Sequence, residues 1–174
     1  MRIELLPIDE GLYDGVAVGT LDGEPLVYVE RTAHVRGQRL AHKDIALALV
    51  DAVDVAASRV LGPEWSKPLA MVTGLNQRTC NRDRIERWGL PPWVLVLLAR
   101  AAASEHPRAL GHMLMACASL RGGVAILKHG NRINAVVGKK ARALVEDASE
   151  LVEWARGQRR PPAGSEDPGT ETEN

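Results

Sequence analysis

Glycine and proline cut residues 41–107 into pieces, and this punctuation constrains the fold more than any other feature of the chain. Gly62-Pro63, Gly74, Gly89, Pro91-Pro92 and Pro107 interrupt a stretch otherwise rich in Leu, Val and Ala. A glycine is a helix stop, and a proline is either a stop or a first-turn residue. The stretch must therefore fold as several short helices packed on one another. In the first piece, "AHKDIALALVDAVDVAASRVLG", Ile45, Leu49, Val53, Ala56 and Val60 recur at threes and fours, which predicts an amphipathic helix from Ala41. A second, short helix starts near Trp65 and runs to about Val72, with Pro68 in its first turn, where a missing N–H is tolerated. Gly74 breaks it. Asn76 is a good N-cap for a third helix from Gln77 to about Arg87, closed by Gly89. The fourth, "PWVLVLLARAAASE", is apolar nearly all round and should be buried; Pro107 opens a fifth, "PRALGHMLMACASLRGG".

The flanks have a different pattern. "GVAVGTLDGEPLVYVERT" sets two Val-rich runs around Asp22-Gly23, a dipeptide suited to a tight hairpin turn. Pro25 cannot donate to a ladder, which pushes the second strand toward an edge. "VAILKHGNRINAVV" reads as a second hairpin around Gly130-Asn131, followed by a last helix, "KKARALVEDASELVEWARGQRR". After Pro161 only Pro, Gly, Ser, Thr and acidic residues dominate, a composition that predicts disorder. The organisation expected is thus a β-hairpin segment over 1–40, a helical domain over 41–121, a hairpin plus helix over 122–160 and an acidic tail over 161–174. The fold class is mainly α (α+β), with the two hairpins able to join in one small antiparallel sheet.

Charge separates these segments further. The formal net charge is zero, yet residues 1–64, 65–162 and 163–174 carry −5, +9 and −4. A positive centre between acidic flanks fits a polyanionic partner for the middle of the chain. No apolar run approaches the roughly 18 residues of a membrane span. The start, "MRIELLPIDE", has acids where a secretory signal needs a basic and then an apolar stretch, so a cytoplasmic setting with reduced Cys80 and Cys117 is the expectation.

The stretch "TGLNQRT" lies at the centre of the positive segment. A helix-turn-helix needs a small residue where its helices cross, a residue tolerant of positive φ at the turn, and apolar residues pinning the underside. Leu69 supplies the anchor, Ala70 the crossing residue, Gly74 the turn, and Leu75 and Cys80 the buried side. The second helix, within a motif spanning about 65–88, then displays Asn76, Gln77, Arg78, Asn81 and Arg82. Asn and Gln can pair with adenine edges and Arg with guanine. Gln77, Arg78, Asn81 and Arg82 are therefore placed nearest the bases. Ser66, Lys67 and Thr79 fall nearer the phosphates, with Arg84 or Arg87 as further phosphate partners.

With "W65SKPLA", Arg78-Thr79, Arg82 and "LPPWV", this region resembles the Cro-repressor or Xre-type helix-turn-helix regulators over about residues 41–104. The resemblance implies a transcriptional regulator that binds double-stranded DNA. Two departures stand out: Asp83 occupies a position that is usually apolar, and Glu86 stands near where a glycine is expected. A buried Asp83 would be costly, so the reading helix is either rotated or extended to spare it, or its DNA binding has degenerated.

Other chemistry is poorly represented. His34, His42, His106, His112 and His129 lack the His/Cys spacings of a zinc site, and His112 with Cys117 reads as ordinary packing. Met113 and Met115 read as core or interface fillers, and Lys139 to Arg142 as a solvated face. No catalytic set, phosphate-cradling loop or cofactor motif is present, so the chain reads as a non-enzyme without cofactor or metal. The sequence points to a sequence-specific DNA-binding regulator acting as a homodimer, since one reading helix spans only a few base pairs. The rival is a protein-binding adaptor or antitoxin-like module carrying a degenerate helix-turn-helix.

Overall fold

A computed structural model describes residues 1–9, 12–122 and 130–157. Five short strands are followed by six helices: β1 (Ile3–Leu5), β2 (Val16–Leu21), β3 (Glu24–Val29), β4 (Thr32–Val35), β5 (Gln38–Leu40), α1 (His42–Leu61), α2 (Ser66–Thr73), α3 (Arg82–Trp88), α4 (Pro92–Ala102), α5 (Pro107–Gly122) and α6 (Gly130–Gly157). A 3-10 turn, Gln77–Cys80, separates α2 from α3. The fold is α+β. The chain divides into two compact units, Met1–Leu127 with the sheet and α1–α5, and Lys128–Asn174 with α6.

Among the described residues all the strands come from the first 40 and form one antiparallel meander, in the order β1-β2-β3-β4-β5. The Asp22-Gly23 turn forms as expected: both residues have positive φ, 50° and 88°, so the turn follows the twist of the strands it joins. Two further two-residue turns, at Glu30-Arg31 and Arg36-Gly37, close the next hairpins.

Pro25 does not push β3 to the edge; β3 is the central strand. The register explains why. Pro25 lies opposite Thr20, one step from the Leu21–Glu24 pair that closes the tight turn, so its nitrogen faces away from β2. On the other side pairing with β4 begins only at Leu26–Val35, so no ladder bond is lost there.

The expected second hairpin is not formed over 130–137, which belong to α6; its residues 123–129 lie outside the described part, as do 158–160 of the last helix and the acidic tail. Extending an existing helix adds a hydrogen bond for each residue fixed, whereas a new hairpin must nucleate. The Ala-, Leu-, Lys- and Glu-rich helix that follows therefore takes in the Gly130-Asn131 dipeptide.

The core of the first unit lies between the sheet and the helices. Val18, Leu26, Tyr28 and Ala33 from the strands join Ile45, Leu49, Val53 and Val60 of α1 in one buried cluster. All five stripe residues read from the α1 sequence are buried. Burial also pushes the Tyr28 phenol up to about 12, because the charged form loses its hydration. α1 is the central rod, touching β1 and all the helices α2–α5, while α4 covers β1 and β2. α4 is not apolar to the core all round: Val94, Leu95, Leu98 and Ala101 are buried, but Trp93 is 51% exposed.

α5 approaches α1 closely through Gly111. A Cβ built there would stand 2.8 Å from the Val60 carbonyl carbon and nearer still to its oxygen. The Arg108 guanidinium lies beside Gly62, at the C-terminal end of α1, where a positive charge is favoured by the helix dipole.

Candidate nucleic-acid interface

Three side chains fix the frame of the candidate site. Trp65, 3% exposed, donates its indole N–H to Asp54 Oδ1 on α1 at 2.7 Å. The same oxygen accepts from Arg82 Nε at 3.1 Å and Nη2 at 2.5 Å. Asp54 therefore ties the start of α2 and the start of α3 to the central helix. The Arg82 hydrogen bond, chiefly, holds its carboxyl below the usual carboxylate range, with the Trp65 hydrogen bond as a lesser cause and partial burial opposing both. At the other end of α3, His42 Nε2 lies 2.8 Å from the Glu86 carbonyl oxygen, joining it to the start of α1.

α2 ends where its sequence says it should. Gly74 takes a left-handed conformation, φ 73°, and its N–H donates to the Ala70 carbonyl at 2.8 Å. An L side chain is disfavoured in that conformation, so the glycine sets the turn. Leu69 and Ala70 are buried beneath it. Ser66 Oγ donates to the Cys80 carbonyl at 2.9 Å, closing the start of α2 onto the end of the 3-10 turn. Cys80 itself is fully buried, and that burial pushes its thiol up, against a smaller opposite effect from Thr73.

The single reading helix expected over 77–87 is instead two pieces with a break at Asn81, which is extended at φ −93° and ψ 155°. The buried residues explain the break. Cys80 and Ile85 are both fully buried, yet five residues of continuous helix would set them about 140° apart. The extended Asn81 lets both reach the core. Each piece has its own cap: Asn76 Oδ1 accepts from the Arg78 N–H at 2.9 Å, and Asn81 Oδ1 accepts from the Arg84 N–H at 2.9 Å. Asp83 falls in the first turn of α3 and is exposed, where a negative charge suits the helix dipole. Ile85 fills the buried slot instead.

Of the nine residues read from the sequence, five come together: Ser66, Asn76, Gln77, Arg78 and Asn81 line an open depression of about 310 Å³ with no acidic side chain among them. Gln77 and Arg78 are exposed at its rim. The other four are placed elsewhere. Lys67 is exposed on α2, and Thr79 is half-buried with its N–H donating to the Asn76 carbonyl. Arg82 is turned to Asp54, and Arg84 lies 6.0 Å from the centre of the exposed Trp88 ring. Asp54 is the residue that sequence reasoning missed. Its partner is 28 positions away, and no local pattern connects an acid on α1 to an arginine after the turn.

Among the described residues no three His, Cys, Asp or Glu side chains converge to hold a metal ion, and no helix is long and apolar enough to cross a membrane. No family model matches the chain, and neither a curated protein nor a solved structure matches it.

Proposed function

We propose that the chain is a DNA-binding regulator that uses α2, the Gly74 turn and the following segment as a helix-turn-helix, and that it acts as a homodimer. One observation carries this reading. Exposed Gln77 and Arg78 follow directly on a left-handed glycine turn and stand beside a depression lined by Ser66, Asn76 and Asn81 with no acid. Such a surface suits an anionic, hydrogen-bonding partner.

The caps narrow the roles. Bidentate pairing with adenine needs both the oxygen and the nitrogen of an amide. Asn76 and Asn81 have committed their oxygens to backbone N–H groups, so each offers only its –NH₂ group, a donor suited to phosphate or a single base acceptor. Gln77 is then the adenine reader and Arg78 the guanine reader. Arg82, held by Asp54, acts on the frame rather than on a base. A homodimer doubles the few base pairs such a short segment can read.

The test is selection from a random duplex pool followed by titration of the selected site. Gln77→Ala and Arg78→Ala should each weaken that site by about 1–3 kcal/mol and relax it at one base position. Failure of the wild type to prefer any duplex over the pool overturns the proposal.

A second reading has its own observation. Trp88 is 73% and Trp93 51% exposed, on either side of Gly89–Pro92. Exposed tryptophans are characteristic anchors of protein interfaces. A protein-docking module would bind all duplexes alike, lose its partner on Trp88→Ala or Trp93→Ala, and keep it on Gln77→Ala.

A further inference from the structure

α6 carries an apolar stripe on its own surface. Leu144, Val145, Ala148, Leu151 and Val152 recur at threes and fours, and the four large ones are 46–63% exposed. A helix whose apolar face meets water calls for a partner, and the charges of α6 say which kind. In its sequence four cations, Arg132, Lys139, Lys140 and Arg142, precede four acids, Glu146, Asp147, Glu150 and Glu153, and one cation, Arg156, follows them. Beside a parallel copy, cations would face cations and acids would face acids. Beside an antiparallel copy, each basic end lies along the other's acidic end.

The flanking positions sharpen this. Lys140 stands four residues before Leu144, and Asp147 four residues before Leu151, so both border the same edge of the stripe. In an antiparallel pair that edge faces its own copy, as equivalent flanking positions do in antiparallel coiled coils. Lys140 of one chain then approaches Asp147 of the other, and two-fold symmetry makes the contact twice.

We propose that α6 is a self-association helix, pairing antiparallel with α6 of a second copy through the Leu144–Val152 stripe, with Lys140 set against the second copy's Asp147. This deepens the homodimer half of the function proposed above and is tested without DNA, so a chain that reads no duplex can still dimerise this way, and the reverse.

The experiment is sedimentation equilibrium on the full chain, with far-UV circular dichroism to verify that helix content is kept. Wild type should be a dimer. Leu144→Lys/Leu151→Lys should leave only monomer. Lys140→Glu and Asp147→Lys should each raise the dimer Kd by on the order of tenfold, and combining them should restore it, since two exposed pairs are remade. The swap also reads orientation: in a parallel pair this edge would face the partner's other edge, so the two charge variants would not restore one another. A monomeric wild type, a dimer indifferent to the leucine changes, or single charge variants not restored in combination would overturn the proposal.

Discussion

Gly111→Ala and Gly138→Ala are the same chemical change in two helices, and the structure assigns them opposite signs. In a helix interior the change alone favours Ala by about 0.8–1.0 kcal/mol. At Gly138 in α6 an added Cβ meets nothing within 4 Å. Most of that gain should therefore appear, as higher helix content and slower amide exchange along α6. At Gly111 the added Cβ would stand 2.8 Å from the Val60 carbonyl carbon. Carbon atoms pack best near 3.5–4.0 Å, so α5 and α1 would have to separate by about 1 Å. The obstacle is main chain and cannot rotate away, which places the strain near the upper end of the roughly 1–3 kcal/mol typical of overpacking. Strain wins over propensity by about 2 kcal/mol. For a unit of this size that lowers Tm by about 6–12 °C. Thermal and urea denaturation of both variants beside wild type is the assay. A Gly111→Ala protein as stable as wild type would show that α5 does not cross α1 at this residue, and the packing argument would fall with it.

Asp54→Ala should destabilise the fold by about 1–2 kcal/mol, because the buried Trp65 N–H loses its acceptor, while Asp54→Asn, which keeps an oxygen there, should cost less. Since its partners depress the Asp54 carboxyl, its contribution is present above the unfolded carboxyl value of about 3.9 and is lost as pH falls through the lower folded value. The wild-type advantage over Asp54→Asn should therefore be constant near neutrality and shrink as the pH falls below about 3.9; an advantage that does not shrink there refutes the ion-pair account. Tyr28 behaves oppositely: its raised value holds stability below about pH 10 and releases it as pH rises through about 12, a loss of roughly 2–3 kcal/mol that Tyr28→Phe should abolish in alkaline denaturation. Asp83→Leu should give no stabilisation, because Asp83 is already exposed at the start of α3; marked stabilisation in denaturant titrations would return it to a buried slot.

What the sequence revealed depended on how local the cause was. The α1 stripe was legible because one face of a long helix repeats its burial several times, and the Asp22-Gly23 turn because two adjacent residues carry it. β1 and β5 have three residues each and β4 four, too short for alternation to show. Gly130-Asn131 carried a turn signal that the helix around it overrode. At the candidate site Gly74, Ala70 and Asn76 were legible, being local to the turn. The role of Arg82 was not, since it is decided by Asp54 on another helix.

The break at Asn81 also decides which residues after Cys80 reach the core. A continuous helix after Cys80 would bring position 83 toward the core. Asn81 leaves the helix for one residue and restarts it with its own cap, so everything after it is displaced along the chain. The buried slot falls at Ile85 rather than at Asp83, and the helix closes at Gly89, whose N–H donates to the Ile85 carbonyl at 2.8 Å. Gln77 and Arg78 precede the break, and Arg82, directly after it, binds Asp54. The residues before the break are held independently of it. Here Ser66, Asn76 and Gly74 fix them by a side-chain bond, a cap and a turn.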